Sequence, residues 1–316
     1  MSDLPKFVTV LEEGPREGFQ IETGPISTDQ KVAFIHALAD TGVKSIDCVS
    51  FVSGKKVPTM ADAEAVMERI TRKEGVRYTG LWLNTRGLLR ALQTKADVIG
   101  SIRLCASETF GIRNTAMNFE QTVEEQYRWL AIYREHGVPI GWGYVMTAFG
   151  CNYEGFIAES QVLHSVGQLL EIAGNAGVSL KGVYLCDTVG WATPALVERA
   201  VAAVRNRWPD LPLALHLHDT RGSGLANAYA ALRLGIARFD STCGGLGGCP
   251  FAAHAGSAGN ICTEDFVFMC HEMGIETGID LEKMIECSRM AEEIVGHALP
   301  GKLARAGSLR RFRQCQ

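Results

Sequence analysis

The sequence predicts one (β/α)8 TIM barrel with an additional C-terminal helix. Three observations predict it. Short apolar runs alternate with longer amphipathic ones eight times, the pattern of right-handed βαβ units around a parallel sheet. No GxGxxG follows the first run, which disfavours an open dinucleotide-binding sheet. Ionisable residues collect just past the strand-like runs, where a barrel carries its site. The 316 residues show no linker or low-complexity stretch. They read as one catalytic domain, 1–316, with the barrel over about 7–275 and a helix and tail over 280–316.

Strands are expected at 7–13, 45–51, 78–83, 97–106, 140–149, 182–188, 213–219 and 238–244. Between them, Ser27 caps a helix over 28–41, and Thr59 begins one over 60–72. A short helix follows at 86–94, then longer ones at 119–136, 158–176, 194–207, 222–234 and 263–273. Pro194 opens its helix, where a missing N–H costs nothing, and Gly42, Gly137, Gly177 and Gly235 stand where helices should stop. Residues 281–295 read as the extra helix. The basic tail from Lys302 to Gln316 reads as disordered or packed on a neighbouring subunit.

With 47% hydrophobic and 21% charged residues the composition is that of a globular protein, and a net charge of −4 suggests neither a nucleic-acid nor an anionic-membrane partner. No run approaches the roughly 20 apolar residues of a membrane span. The N-terminus has no basic-then-apolar secretory pattern. The ten cysteines are scattered without a CxxC pair, which reads as a reduced, cytoplasmic protein.

The strongest local chemical signal is His216-x-His218. Side chains at i and i+2 of a strand share a face, so both imidazoles can chelate one divalent ion inside a barrel mouth. Two hydrogen-bonded structural histidines are the alternative, disfavoured by the strand spacing and by Asp219 just beyond. A carboxylate ligand is needed, and Glu17, just past the first strand, is the best placed; Arg16 beside it would be a fixed cation for a developing oxyanion. On local sequence alone a solvated Arg–Glu surface pair fits these two equally well. Cys249 lies behind Gly244, Gly245, Gly247 and Gly248. That context fits a mobile loop delivering a thiol, or a flexible turn with an incidental cysteine. Asn260 is a candidate oxygen ligand or a plain helix cap.

Several motifs carry a resemblance over nearly the whole chain. They are Glu13-Gly14-Pro15-Arg16-Glu17-Gly18-Phe19-Gln20, Ser50-Phe51-Val52-Ser53 with Val57-Pro58, Gly150-Cys151-Asn152-Tyr153-Glu154-Gly155 and Asp187-Thr188-Val189-Gly190. His216-Leu217-His218-Asp219-Thr220, Gly245-Leu246-Gly247-Gly248-Cys249-Pro250 and Gly259-Asn260 follow in order. On these the chain resembles the 3-hydroxy-3-methylglutaryl-CoA lyases of the DRE-TIM metallolyase family. The resemblance implies that Glu17, His216, His218 and Asn260 surround Mg²⁺ or Mn²⁺. It implies that Arg16 faces the substrate carbonyl, Cys249 takes part in proton transfer, and Asp47 and Asp187 line the site. Gln20 and Thr188 join Arg16 as substrate-binding candidates. An acyl-CoA substrate and a homodimer are further implications.

The chain departs from the family at three places. Arg16-Glu17 stands where Arg-Asp is usual, and Asp47 where Glu is usual, as if one methylene had been exchanged between the two acids. The stretch from Cys249 to Asn260 is about two residues longer than in the resembled family, and includes His254. Trp142 replaces a basic or small residue. These changes suggest a relative of hydroxymethylglutaryl-CoA as substrate. Competing readings are a metal-dependent lyase or aldolase for another 3-hydroxyacyl-CoA or a 2-oxo acid, and a non-catalytic ligand-binding barrel.

Overall fold

In the computed structural model, residues 4–248 and 259–313 are described. Each apolar run becomes a parallel strand: β1 (Thr9–Glu12), β2 (Ser45–Ser50), β3 (Arg77–Leu81), β4 (Gly100–Cys105) and β5 (Ile140–Met146). A small antiparallel hairpin follows, β6 (Gly150–Cys151) with β7 (Gly155–Phe156), and then β8 (Val183–Cys186), β9 (Leu213–His216) and β10 (Arg238–Ser241). The main sheet runs β3-β2-β1-β10-β9-β8-β5-β4, the circular order of a TIM barrel. Where β3 should close onto β4, no ladder forms among the described residues; Asp97 N donates to Tyr78 O at 2.8 Å across that seam.

The helices are α1 (Thr28–Asp40), α2 (Ala63–Arg69), α3 (Thr85–Leu92), α4 (Glu108–Thr115), α5 (Phe119–Glu135), α6 (Glu159–Asn175), α7 (Pro194–Arg207), α8 (Gly224–Arg233), α9 (Thr263–Glu272) and α10 (Leu281–Val295). Two short ones, α11 (Leu303–Ala306) and α12 (Arg310–Arg313), end the chain. Ser27 caps α1 in a full capping box with Gln30. The four glycines expected to stop helices all have positive φ. The helix expected over 60–72 is broken: residues 58–60 form a 3-10 turn, and Asp62 has φ −101° and ψ 18°. Its carboxylate is turned toward α1, where it accepts from Thr28 Oγ1 at 2.7 Å and Lys31 Nζ at 2.5 Å. The tail differs from expectation too. Asp265 of α9 accepts the backbone N–H groups of Lys302 and Leu303, and Arg313 pairs with Glu272 at 2.7 Å, so the described part of the tail packs on its own chain.

Strand alternation divides the side chains into two sets. Val10, Ile102, Leu104, Val145, Leu185, Leu215 and Phe239 face the helix layer and are buried there; Phe239, for example, meets Phe266 of α9 with ring centroids 4.9 Å apart. The inward set is unlike the branched apolar layers that usually fill such a barrel. Asp47, Arg103, Tyr144, His216, Arg238 and Asp240 line a cavity of about 1180 Å³. Strands β2, β4, β5, β9 and β10 therefore do more than support a core; they hold polar groups around an open interior.

A candidate metal and substrate site

The site starts where β1 ends. Gly14-Pro15 cannot extend the strand, and residues 14–18 wind into a π-helical turn, a form common at functional sites. Glu17 N donates to Glu13 O at 2.8 Å, which sets the turn. Gly18 is required because a Cβ there would lie 2.7 Å from Leu246 Cβ. The turn aims Arg16 and Glu17 inward. Arg16 holds three carboxylates: Nη2 donates to Glu13 at 2.6 Å, Nη1 to Glu17 at 2.8 Å and Nε to Asp47 at 2.7 Å. Burial works against its charge, but these acids outweigh that and hold the guanidinium firmly protonated. The acids respond differently. Burial raises Glu13 well above the carboxylate range and raises Asp47, with Arg16 opposing both. In Glu17, burial is overridden by Arg16, His216 and His218, which hold it ionised.

His216 ends β9 and His218 lies just past it. Their Nε2 atoms stand 3.1 Å apart, and Glu17 Oε1 lies 3.3 Å from His218 Nε2 and 3.9 Å from His216 Nε2. Asn260 arrives by backbone pairing: His218 and Asn260 form an antiparallel bridge, Asp219 N donates to Gly259 O at 2.7 Å, and Ile261 N donates to Leu217 O at 3.0 Å. Its Nδ2 donates to Glu17 Oε1 at 2.9 Å, leaving Oδ1 buried without a partner. These residues fit a metal. Two cis ligands at about 2.1 Å from an ion sit roughly 3 Å apart, the separation of the two imidazole nitrogens. An orphaned amide oxygen is available, and Glu17, held ionised by Arg16 and the two imidazoles, offers an anionic ligand beside them. On the far side, His216 Nδ1 lies 3.5 Å from Asp240 and 3.9 Å from Glu13, which orients the ring from behind.

Gln20 and Thr188 line the cavity; Gln20 Oε1 is buried without a partner, and Thr188 Oγ1 accepts from Thr147 N at 2.8 Å. Asp47 lines it too, but reaches the histidine cluster only through Arg16. Asp187 does not line the cavity. Its Oδ1 accepts from Trp191 N and Ala192 N at 2.7 and 3.0 Å, fixing the loop after β8, and its Oδ2 is buried without a partner. Cys249, His254 and the stretch between them lie outside the described residues. The residues flanking 249–258 meet: a Cβ on Gly259 would fall 1.7 Å from Gly247 O, so only glycine allows that approach. Sequence reading missed Glu13, Asp240, Tyr144 and Arg103. All but Glu13 carry the same available signal, a polar residue at alternate positions of an apolar strand run.

A family model described as HMGL-like matches residues 8–291. The chain is 37% identical to the cytoplasmic 3-hydroxy-3-methylglutaryl-CoA lyase of Homo sapiens over 97% of its own length and 80% of the relative's. It is 38% identical to the hydroxymethylglutaryl-CoA lyase of Bacillus subtilis, covering 94% and 96%. An HMG-CoA lyase from Acinetobacter baumannii, solved with coenzyme A and 3-methylmalate, superposes with a TM-score of 0.86 at 39% identity over 98% of this chain and 97% of that one. Sequence, fold and the ordered motifs agree, and the chain belongs to the HMGL-like family of carbon–carbon lyases.

Proposed function

We propose that the protein cleaves 3-hydroxy-3-methylglutaryl-CoA, or a close analogue, to acetyl-CoA and a 3-oxo acid such as acetoacetate, with Mg²⁺ or Mn²⁺ held by Glu17, His216, His218 and Asn260. The observation that carries this is the convergence of Glu17 Oε1 with two imidazole Nε2 atoms beside an unpartnered Asn260 Oδ1. Such an ion, when bound, polarises the substrate hydroxyl and carbonyl oxygens.

The reaction removes the proton of the 3-hydroxyl, breaks the C2–C3 bond to leave a ketone at C3, and protonates the thioester enolate at C2. Glu13 and Asp47, whose carboxylates line the cavity beside Arg16, are the proposed acceptors of the hydroxyl proton. Arg16 still has N–H groups beyond those bound to its acids, and it offsets the charge of the enolate. Gln20 and Thr188 position the acyl chain. Cys249, which follows the cavity-lining Gly248 in sequence, is the proposed acid for C2. Asp187 fixes the loop after β8 and acts on the site through His218. Coenzyme A in the Acinetobacter structure supports an acyl-CoA substrate.

The test is turnover of 3-hydroxy-3-methylglutaryl-CoA with and without added Mg²⁺ or Mn²⁺, followed by acetyl-CoA and acetoacetate formation. Metal-dependent release of both products is expected. No turnover with metal present, while another 3-hydroxyacyl-CoA is cleaved, would move the substrate to that analogue.

A further inference from the structure

Two cations stand in sharp contrast inside the barrel. Arg16 is fully charge-compensated by three carboxylates. Arg103, on the inward face of β4, has none: among the described residues no acid lies within ion-pair distance of it. Its Nη2 donates to Ser101 Oγ at 2.8 Å, its Nε is buried without a partner, and its Nη1 makes no hydrogen bond among the described residues. What surrounds the guanidinium is aromatic, with the ring centroids of Trp129 and Tyr144 at 5.6 and 5.7 Å. Burial pulls its pKa down, and Arg16 adds to that. Arg238 on β10 differs, since its Nε donates to Tyr184 Oη at 2.7 Å and Tyr184 and Asp240 outweigh burial to support its charge.

A guanidinium buried against rings with open N–H groups is unfavourable unless an anion completes it. Arg103 lines the same cavity as Glu17 and both histidines. Its end carries free donors on Nη1 and one on Nη2, the fork that accepts a carboxylate in two parallel hydrogen bonds. The Tyr144 and Trp129 rings flank the guanidinium, and Ser101 Oγ holds Nη2, which limits the side-chain freedom lost on binding.

We propose that Arg103 is a substrate-binding residue that takes the free carboxylate at the far end of the acyl group, and so selects acyl chains ending in a carboxylate over neutral ones of the same shape. This rests on the lyase reading above. The thioester end must reach out toward coenzyme A, and the hydroxyl toward the histidine cluster. The remaining carboxylate then needs a cationic wall, and Arg103 supplies the uncompensated charge. During cleavage this carboxylate stays on the 3-oxo acid product and takes no part in bond breaking, so its recognition is felt in binding.

The experiment compares two free acids of one skeleton, 3-hydroxy-3-methylglutarate and 3-hydroxy-3-methylbutyrate, titrated calorimetrically into the Mg²⁺-loaded protein. Wild type should bind the dicarboxylate about 10–100-fold more tightly, the range for a charge-assisted hydrogen-bonded pair. Arg103→Gln should erase that ratio and leave the monocarboxylate unchanged, and Arg103→Lys should restore part of it. Each ratio is taken on one protein, so a folding defect cannot imitate it. With the matching CoA thioesters, Arg103→Gln should raise KM for the carboxylated substrate and spare kcat. No preference in wild type, or an equal loss of both acids in Arg103→Gln, overturns the proposal. A preserved binding ratio without turnover of either thioester would instead count against the lyase substrate and leave the carboxylate subsite intact.

Discussion

Arg16 shows how one side chain can organise a site before any ligand arrives. Its three nitrogens fix Glu13, Glu17 and Asp47 at 2.6–2.8 Å, and through Glu17 they fix the distance to both histidines. The unusual pair, Glu17 where the resembled family carries Asp and Asp47 where it carries Glu, meets on this one guanidinium. Each acid is therefore expected to compensate the other's reach through this shared partner. Glu17→Asp is expected to weaken metal binding and lower kcat/KM by about 10–100-fold, as loss of a well-placed contact at a metal site does. Adding Asp47→Glu should recover part of it, with a coupling of roughly 0.5–3 kcal/mol between the two sites. Metal titration and steady-state kinetics of both single variants and the double variant check this; strictly additive losses would refute it. His216-x-His218 was legible from spacing, while local sequence left Asn260 as either an oxygen ligand or a helix cap, because its partner lies 42 positions earlier in sequence at His218. Arg103 shows in the sequence only as a polar residue alternating within an apolar run, and which face of that strand turns inward depends on its pairing with neighbouring strands.

At the scale of elements, the strands and the long helices follow from periodicity, and the exceptions have local causes. The turn at 14–18 reads as a loop because Gly-Pro ends any regular pattern. Helix α4 buries only Phe110 and is begun by the Ser107 cap, so it has no apolar stripe to announce it. The hairpin strands β6 and β7 are two residues each, too short for alternation to register. Glu12 joins three elements at once. Facing the helix layer, it accepts from Gly14 N and Cys243 N at 2.8 Å and from Thr263 Oγ1 at 2.6 Å, linking β1 to the loop after β10 and to α9. Burial raises its pKa from 4.5 to about 7, with these hydrogen bonds opposing. The native state thus holds the Glu12 proton more tightly than the unfolded chain does. Its contribution to stability is fully present below about pH 4.5 and is lost as pH rises through about 7. Glu12→Gln lacks this proton, so its melting temperature should gain on wild type between those values and run parallel above. A constant offset between the two melting curves across pH 4.5–7 would show that Glu12 is not raised.

For the whole molecule, the barrel order was legible from the count of strand–helix repeats, and its hollow, polar interior was not. That interior comes from inward positions occupied by Asp47, Arg103, Tyr144, Arg238 and Asp240 in place of branched apolar residues, and it spans the seam between β3 and β4. The meeting of Gly247 with Gly259, together with the backbone bridge from His218 to Asn260, has a consequence for how such a protein can change. Asn260 is held by pairing to Leu217–Asp219 and not by the length of chain that follows Cys249. Metal binding is therefore expected to tolerate changes in the length of that stretch. Removing two residues from within 251–257 should leave Mn²⁺ affinity within about twofold, while acyl-chain preference is free to shift; a large loss of affinity would show that the stretch itself carries the site. A barrel wired this way would hold its metal ligands on paired backbone, so that the neighbouring stretch can vary in length without moving them.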